Sequence, residues 1–217
     1  MIPNAFNLCS TNQDLYYSLN LYDKNQINHP ELKKVILYFS VFSTGYDSSK
    51  TSERDLCVYF KNIFDIEYQN KNIVIDPVFN QNKKIKIKNN ELQHIESCFI
   101  HNPNFIIDNN LENRVQGHLR ENRRLPNQIK NLLGLIKKCK TNGHELIIIL
   151  PPARSEYKHL IEVDIFNEIH QISQSYNLKI IDLFNYDLFT DDDFGDSDHV
   201  NINGANKLTN IAKNEIS

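Results

Sequence analysis

The sequence predicts an α/β protein of three layers, with a mostly parallel sheet between helices. Two observations carry this. Apolar runs short enough for strands recur at Val35–Phe42, Glu145–Leu150 and Lys179–Phe184. From Pro126 onward they also alternate with segments of helical periodicity, an order that produces parallel strands with helices on both faces. Nearly continuous apolar runs, rather than alternating ones, are what strands covered on both faces require.

Taken in order, Ala5–Cys9 is a short, mostly apolar run that reads as a buried strand. Thr11 and Asp14 form a capping box opening a helix to about Leu21, with Leu15 and Leu19 facing inward. Val35–Phe42 is the next strand and ends at the polar turn Ser43-Thr44-Gly45. Residues 46–123 then break the pattern. They are rich in Asn and Lys, and Lys83–Lys88 alternates like an exposed hairpin arm. This stretch is an insertion in a single domain spanning 1–217, either a solvated surface excursion or a lid over a site.

Pro126 begins a helix whose apolar positions are Ile129, Leu132, Leu133, Ile136 and Cys139, stopped by Asn142-Gly143. Glu145–Leu150 is a strand closed by Pro151-Pro152. A helix carrying Ile165, Phe166, Ile169 and Ile172 follows, then the strand Lys179–Phe184 and a last helix from Gly204 to Ile216. Ligand sites in such sheets lie beyond the carboxyl ends of the strands. Ser10-Thr11, Ser43-Thr44, Pro152-Ala153-Arg154 and the loop holding Asp196 and His199 are therefore expected on one rim.

Composition sets the outer limits. Apolar residues make up 40% and charged residues 24% of 217, which fits one globular domain with a full core. A net charge of −3 gives no general attraction to nucleic acid or anionic lipid. No apolar run approaches the length of a membrane span, and no basic-then-apolar leader opens the chain, so a cytoplasmic protein is the default expectation. Cys9, Cys57, Cys98 and Cys139 are widely spaced and form no C-x-x-C pair. Cys9 and Cys139 lie in apolar stretches and read as buried free thiols. There is no glycine-rich phosphate loop, and neither His94 nor His101 has ligand-like spacing to a carboxylate, so no cofactor or metal is expected.

The chemistry lies in the tail. A serine hydrolase needs an imidazole to take the nucleophile's proton and a carboxylate to hold that imidazole in the right tautomer. Asp196 and His199, three apart in a loop before a helix, can supply orienter and base; an acidic helix cap (Asp191, Asp192, Asp193, Asp196, Asp198) is the structural alternative. Arg154 is a candidate substrate contact or a surface ion pair. His118, followed by Arg120, Arg123 and Arg124, either reaches the site, binds an anion or sits on a solvated helix face.

The segment Asp196-Ser197-Asp198-His199-Val200-Asn201-Ile202-Asn203-Gly204-Ala205 resembles the last motif block of the SGNH/GDSL esterase and lipase superfamily, in which Asp-x-x-His precedes Leu-Asn and Gly-Ala. Ile149–Tyr157 looks like the fourth strand of SGNH-like proteins from bacterial surface-polysaccharide loci, and Ala5–Tyr17 resembles their second strand and helix. The resemblance implies a flavodoxin-like sheet and hydrolysis or transfer of an ester-linked acyl group, an O-acetyl on a bacterial glycan. The substrate would be an acylated small molecule or glycan, with no cofactor. The chain departs from the family at its start. The Gly-Asp-Ser nucleophile block and the first strand before it are absent, and no glycine precedes Gly45. Three explanations stay open: a gene that starts upstream, a degenerate copy serving as a non-catalytic interaction module, or a nucleophile from elsewhere. Ser10, Ser40 and Ser43 are the candidates for the last, with Ser10 and Ser43 also falling where the family carries oxyanion-hole donors.

Overall fold

In the computed structural model, residues 4–10, 12–51, 54–69 and 110–216 are described. The chain is a mixed α/β protein built on a three-stranded parallel sheet. The strands are β1 (Lys34–Tyr38), β2 (Glu145–Leu150) and β3 (Lys179–Asp182), in the spatial order β1-β2-β3. Val35 lies opposite Leu146, and Ile148 opposite Ile180. The helices are α1 (Leu15–Asn25), α2 (Arg54–Phe64), α3 (Leu111–Asn122), α4 (Ile129–Thr141), α5 (Ser155–His159), α6 (Asn167–Tyr176) and α7 (Ile202–Ile216).

The unbroken Leu-Ile-Ile-Ile-Leu run of β2 is explained by its central place. All five side chains are buried, and alternate ones enter different cores. Leu146, Ile148 and Leu150 join Leu37, Phe39 and the inward faces of α3 (Val115, Leu119), α4 (Leu132, Leu135, Ile136) and α6 (Ile169). Ile147 and Ile149 join Ile181, Leu183 and Ala212 of α7. Each full burial of this kind is worth roughly 1.5–3 kcal/mol, so β2 alone supplies much of the cohesion between the helices. A third cluster sets the other face of α1 against α2. There Tyr17 stacks on Phe60, with ring centroids 4.2 Å apart, and Leu21, Cys57 and Ile66 close around them.

Several sequence expectations are corrected. The run Ala5–Cys9 is not a strand. Asn4 and the nearby Asn12 take left-handed backbone angles, the Asn7 side chain accepts the Cys9 N–H, and the Gln13 side chain accepts the Ser10 N–H. These local bonds compete with ladder formation. Phe6 is left largely exposed against His29, and Cys9 is an exposed thiol rather than a buried one; Cys57 and Cys139 are buried and free. The first long strand stops at Tyr38 rather than Phe42, because the Ser43 hydroxyl accepts the Ser40 amide and folds 40–43 into a turn.

Helix α1 is capped by Asp14 and runs four residues beyond Leu21; Thr11 lies outside the described residues. Asp14 is buried. It accepts the Tyr17 N–H at 3.0 Å, and also the amide and hydroxyl of Ser48, at 3.0 and 2.7 Å, which pins the start of α1 to the chain leaving β1. Helix α4 begins at Ile129 rather than at Pro126 and stops, as the spacing predicts, at Asn142 before Gly143 in a left-handed conformation.

The stretch 46–123 includes α2 and α3, whose apolar faces enter the cores described above. Gly45 fixes one end of it. A Cβ there would meet the carbonyl oxygens of Glu121 and Asn122, at 2.2 and 2.5 Å. Only glycine allows the chain after β1 to pass so close to the end of α3. Lys83–Lys88, His94, Cys98 and His101 lie outside the described residues.

Candidate functional site

Residues 190–201 form a loop that holds Asp196 and His199 at the carboxyl end of the sheet. The loop is built mainly by its own side chains. Thr190 and Asp193 form a capping box, and the Asp193 carboxylate also receives Lys207 of α7 at 2.8 Å. Asn201 caps α7 by accepting the amides of Asn203 and Gly204, while its own NH2 bonds the carbonyls of Asp192 and Phe194. Phe194 and Val200 form an antiparallel bridge, and the Gly195 N–H reaches the His199 carbonyl at 2.8 Å. Gly204 lets the first turn of α7 settle against this loop, since a Cβ there would lie 2.1 Å from the Asp193 carbonyl oxygen. The Asn201 and Gly204 of the tail motif thus have structural jobs.

Within the loop Asp196 is buried. Its Oδ1 accepts the backbone N–H groups of Asp198 and His199, at 3.1 and 2.8 Å. Both carboxylate oxygens lie within 3.0 Å of His199 Nδ1. With Nδ1–H donating to Asp196, Nε2 is the acceptor nitrogen, which is the tautomer a general base needs. Burial works to raise the Asp196 pKa, but the His199 hydrogen bond and charge, the Asp198 amide and Arg114 outweigh it, so the carboxyl stays below its ordinary range. The bond to Asp196 lifts the His199 pKa above the usual imidazole value, against opposing burial.

Arg114 completes the cluster, a residue the sequence reading passed over. It projects from α3, and its guanidinium lies 2.6 Å from Asp198, 3.4 Å from Asp196 and 3.1 Å from His199 Nδ1. One turn further along α3, His118 is half-buried. Its Nδ1 is 2.7 Å from the Tyr157 hydroxyl and its ring lies against Phe42; burial first of all lowers its pKa. His118 is therefore neither on a solvated helix face nor grouped with the arginines that follow it. The clue available in sequence was the spacing of Arg114, Val115, His118 and Leu119, which puts the two polar groups beside the apolar stripe of one helix face.

Arg154 lies at the same end of the sheet. Its backbone N–H bonds the Ser197 carbonyl at 3.1 Å, and its guanidinium pairs with Asp191 at 3.0 Å, tying the chain after β2 to the loop. The serines separate. The Ser43 hydroxyl is taken up in the turn after β1, and Ser10 lies in the N-terminal segment with its amide on Gln13; neither is hydrogen-bonded to His199. Ser40 shares the Ser43 turn, its Oγ 3.4 Å from that of Ser43. It lines a cavity of about 30 Å³ together with Phe42, Pro152, Tyr157 and Asp198. Asp196, Asp198 and His199 also offer ligand atoms within 4.8 Å of one another, a spacing a metal ion can use, but Arg114 already supplies positive charge there.

No protein-family model, curated protein or solved structure matches the chain. Among the described residues no helix is long and apolar enough to cross a membrane.

Proposed function

We propose that the chain is a hydrolase or acyltransferase of the SGNH type, acting on an ester-linked acyl group such as an O-acetyl on a glycan. The observation that carries the reading is the Asp196–His199 pair. A buried, ionised carboxylate holds both oxygens on Nδ1 of an imidazole that is half exposed at the carboxyl end of a parallel sheet. The three parallel strands, with different helices on β2's two sets of side chains, agree with a flavodoxin-like three-layer architecture.

In this reading His199 Nε2 takes the proton of the attacking hydroxyl and returns it to the departing oxygen. Asp196 keeps Nδ1 protonated and stabilises the imidazolium. Arg114 helps to hold Asp196 in its ionised form and pairs with Asp198. Ser40 is the serine best placed to attack, because it shares a cavity with Asp198. The attack forms a bond from Ser Oγ to the acyl carbon and expels the carrier hydroxyl; water or an acceptor hydroxyl then releases the acyl group.

Turnover of p-nitrophenyl acetate tests this. Wild type should hydrolyse it, with His199→Ala and Ser40→Ala each losing on the order of a hundredfold or more. Equal rates for wild type and His199→Ala would refute the catalytic reading and leave a non-catalytic interaction module. Loss in His199→Ala but not in Ser40→Ala would move the nucleophile elsewhere.

A further inference from the structure

A second, larger cavity of about 330 Å³ opens beside the site. One wall is α5 and the chain that follows it (Ser155, Lys158, His159, Ile161, Glu162), and the other is Phe184, Asn185 and Asp187 after β3. Phe166 and Phe184, packed edge to face at 5.1 Å, line both this cleft and the small cavity beside Asp198, so a single aromatic wall separates the two. The volume is at the lower end of the range that small-molecule sites occupy.

The lining chemistry narrows the ligand. The buried part of the lining is apolar, formed by Ile161, Ile165 and the two phenylalanines, with the exposed Val163 at its edge, and much of the remaining lining is polar. Lys158 and His159 offer donors, Glu162 and Asp187 offer acceptors, and Asn185 offers both. Groups of opposite kind spaced around one small cleft suit a ligand whose every polar group both donates and accepts, which is the property of a hydroxyl. The rim charges also balance. Glu162 is paired with Arg123, while Lys158 and Asp187, one of each sign, make no ion pair with a described residue. A strongly charged ligand of either sign would meet a like charge on this rim.

We infer that this cleft binds a neutral polyhydroxylated ring, a sugar unit, with its C–H face on Ile161, Ile165 and Phe166 and its hydroxyls on Lys158 and Asp187. Its role as the carrier half of an acylated substrate rests on the hydrolase reading above; sugar binding itself does not.

The experiment uses the full chain, methyl-labelled at Ile and Val and titrated with cellobiose, with glycerol and glucuronate as controls. Cellobiose should shift the Ile161 and Ile165 methyl resonances saturably, and glycerol should not. Lys158→Ala and Asp187→Ala, both at the surface, should each weaken binding about tenfold. His199→Ala should leave it unchanged, so loss of esterase activity and loss of sugar binding can be told apart. The inference is overturned if those methyls do not move, if glycerol moves them equally, if both rim variants bind as wild type does, or if glucuronate binds more tightly than the neutral sugar.

Discussion

Gly204 and Gly117 are both helical glycines, yet Gly→Ala should act in opposite directions at the two. In a helix interior, alanine is favoured over glycine by about 1 kcal/mol because less backbone freedom is lost on folding. At Gly117, on α3, nothing lies within 4 Å of the position a Cβ would take. Gly117→Ala should therefore stabilise by roughly 0.5–1 kcal/mol. At Gly204 the new methyl would sit 2.1 Å from the Asp193 carbonyl oxygen and 2.9 Å from the Val200 Cβ. The first obstacle is backbone, held by Asn201 N–H on that same oxygen, and cannot swing aside as a flexible side chain would. Overpacking of this kind costs about 1–3 kcal/mol or more, and the rigidity of the obstacle argues for the top of that range even after the helical gain. In a chain of this size each kcal/mol moves the midpoint by roughly 2–4 °C, so Gly204→Ala should melt about 4–10 °C below wild type and Gly117→Ala slightly above it. Thermal unfolding followed by circular dichroism reads both. If Gly204→Ala melts at or above the wild-type temperature, the close packing of α7 on the loop that precedes it is wrong.

The Asp196–His199 pair makes a prediction in pH. Asp196 is depressed on folding, so its contribution to stability is complete above the ordinary Asp value of about 3.9 and fades as pH falls through the lower folded value. His199 is raised, so its contribution is complete below about 6.5 and fades as pH rises through the higher folded value. The pair's contribution to stability should be greatest between roughly pH 4 and 6.5, and Asp196→Asn should flatten both arms of that contribution and lower the His199 titration midpoint in proton NMR; an unchanged midpoint would mean the pair is not coupled in solution. Asp14→Ala strands the buried amide and hydroxyl of Ser48 and removes the cap of α1. A loss of about 3 kcal/mol is expected in urea unfolding, and a loss under about 1 kcal/mol would refute the pinning role.

What the sequence made legible followed one physical signal. Continuous burial writes itself as continuous apolar runs, so β2, β3 and the helices between and after them were readable. The same signal misled at Ala5–Cys9, where an apolar run is present but Asn7 and Gln13 side chains take the amides a strand would use. It also overran β1, because Phe39 and Val41 remain buried after the ladder ends. Asp196 and His199 were readable because a contact three residues apart is local. Arg114 was not, since its partners lie more than eighty residues away and nothing in a helix sequence says which loop its guanidinium will meet. Ser40 was visible only as one serine among several, because the small cavity it shares with Asp198 joins the turn after β1 to a loop more than 150 residues away.

The sheet's connectivity has a consequence for how the chain is assembled in time. Lys34 and Glu145 are register partners, so the β1–β2 ladder closes a very long loop before it returns any hydrogen bonds. The run from α4 through α7 needs only short closures to pair β2 with β3 and to form the Asp196–His199 loop. Loop-closure entropy and contact order therefore favour a folding nucleus in the second half of the chain, with β1 and α3 arriving afterwards. Because Arg114 rides on α3, the imidazole and its carboxylate meet early, and the cation that balances them arrives last. A slow kinetic phase sensed at Arg114 but not at His199 would be the mark of that order.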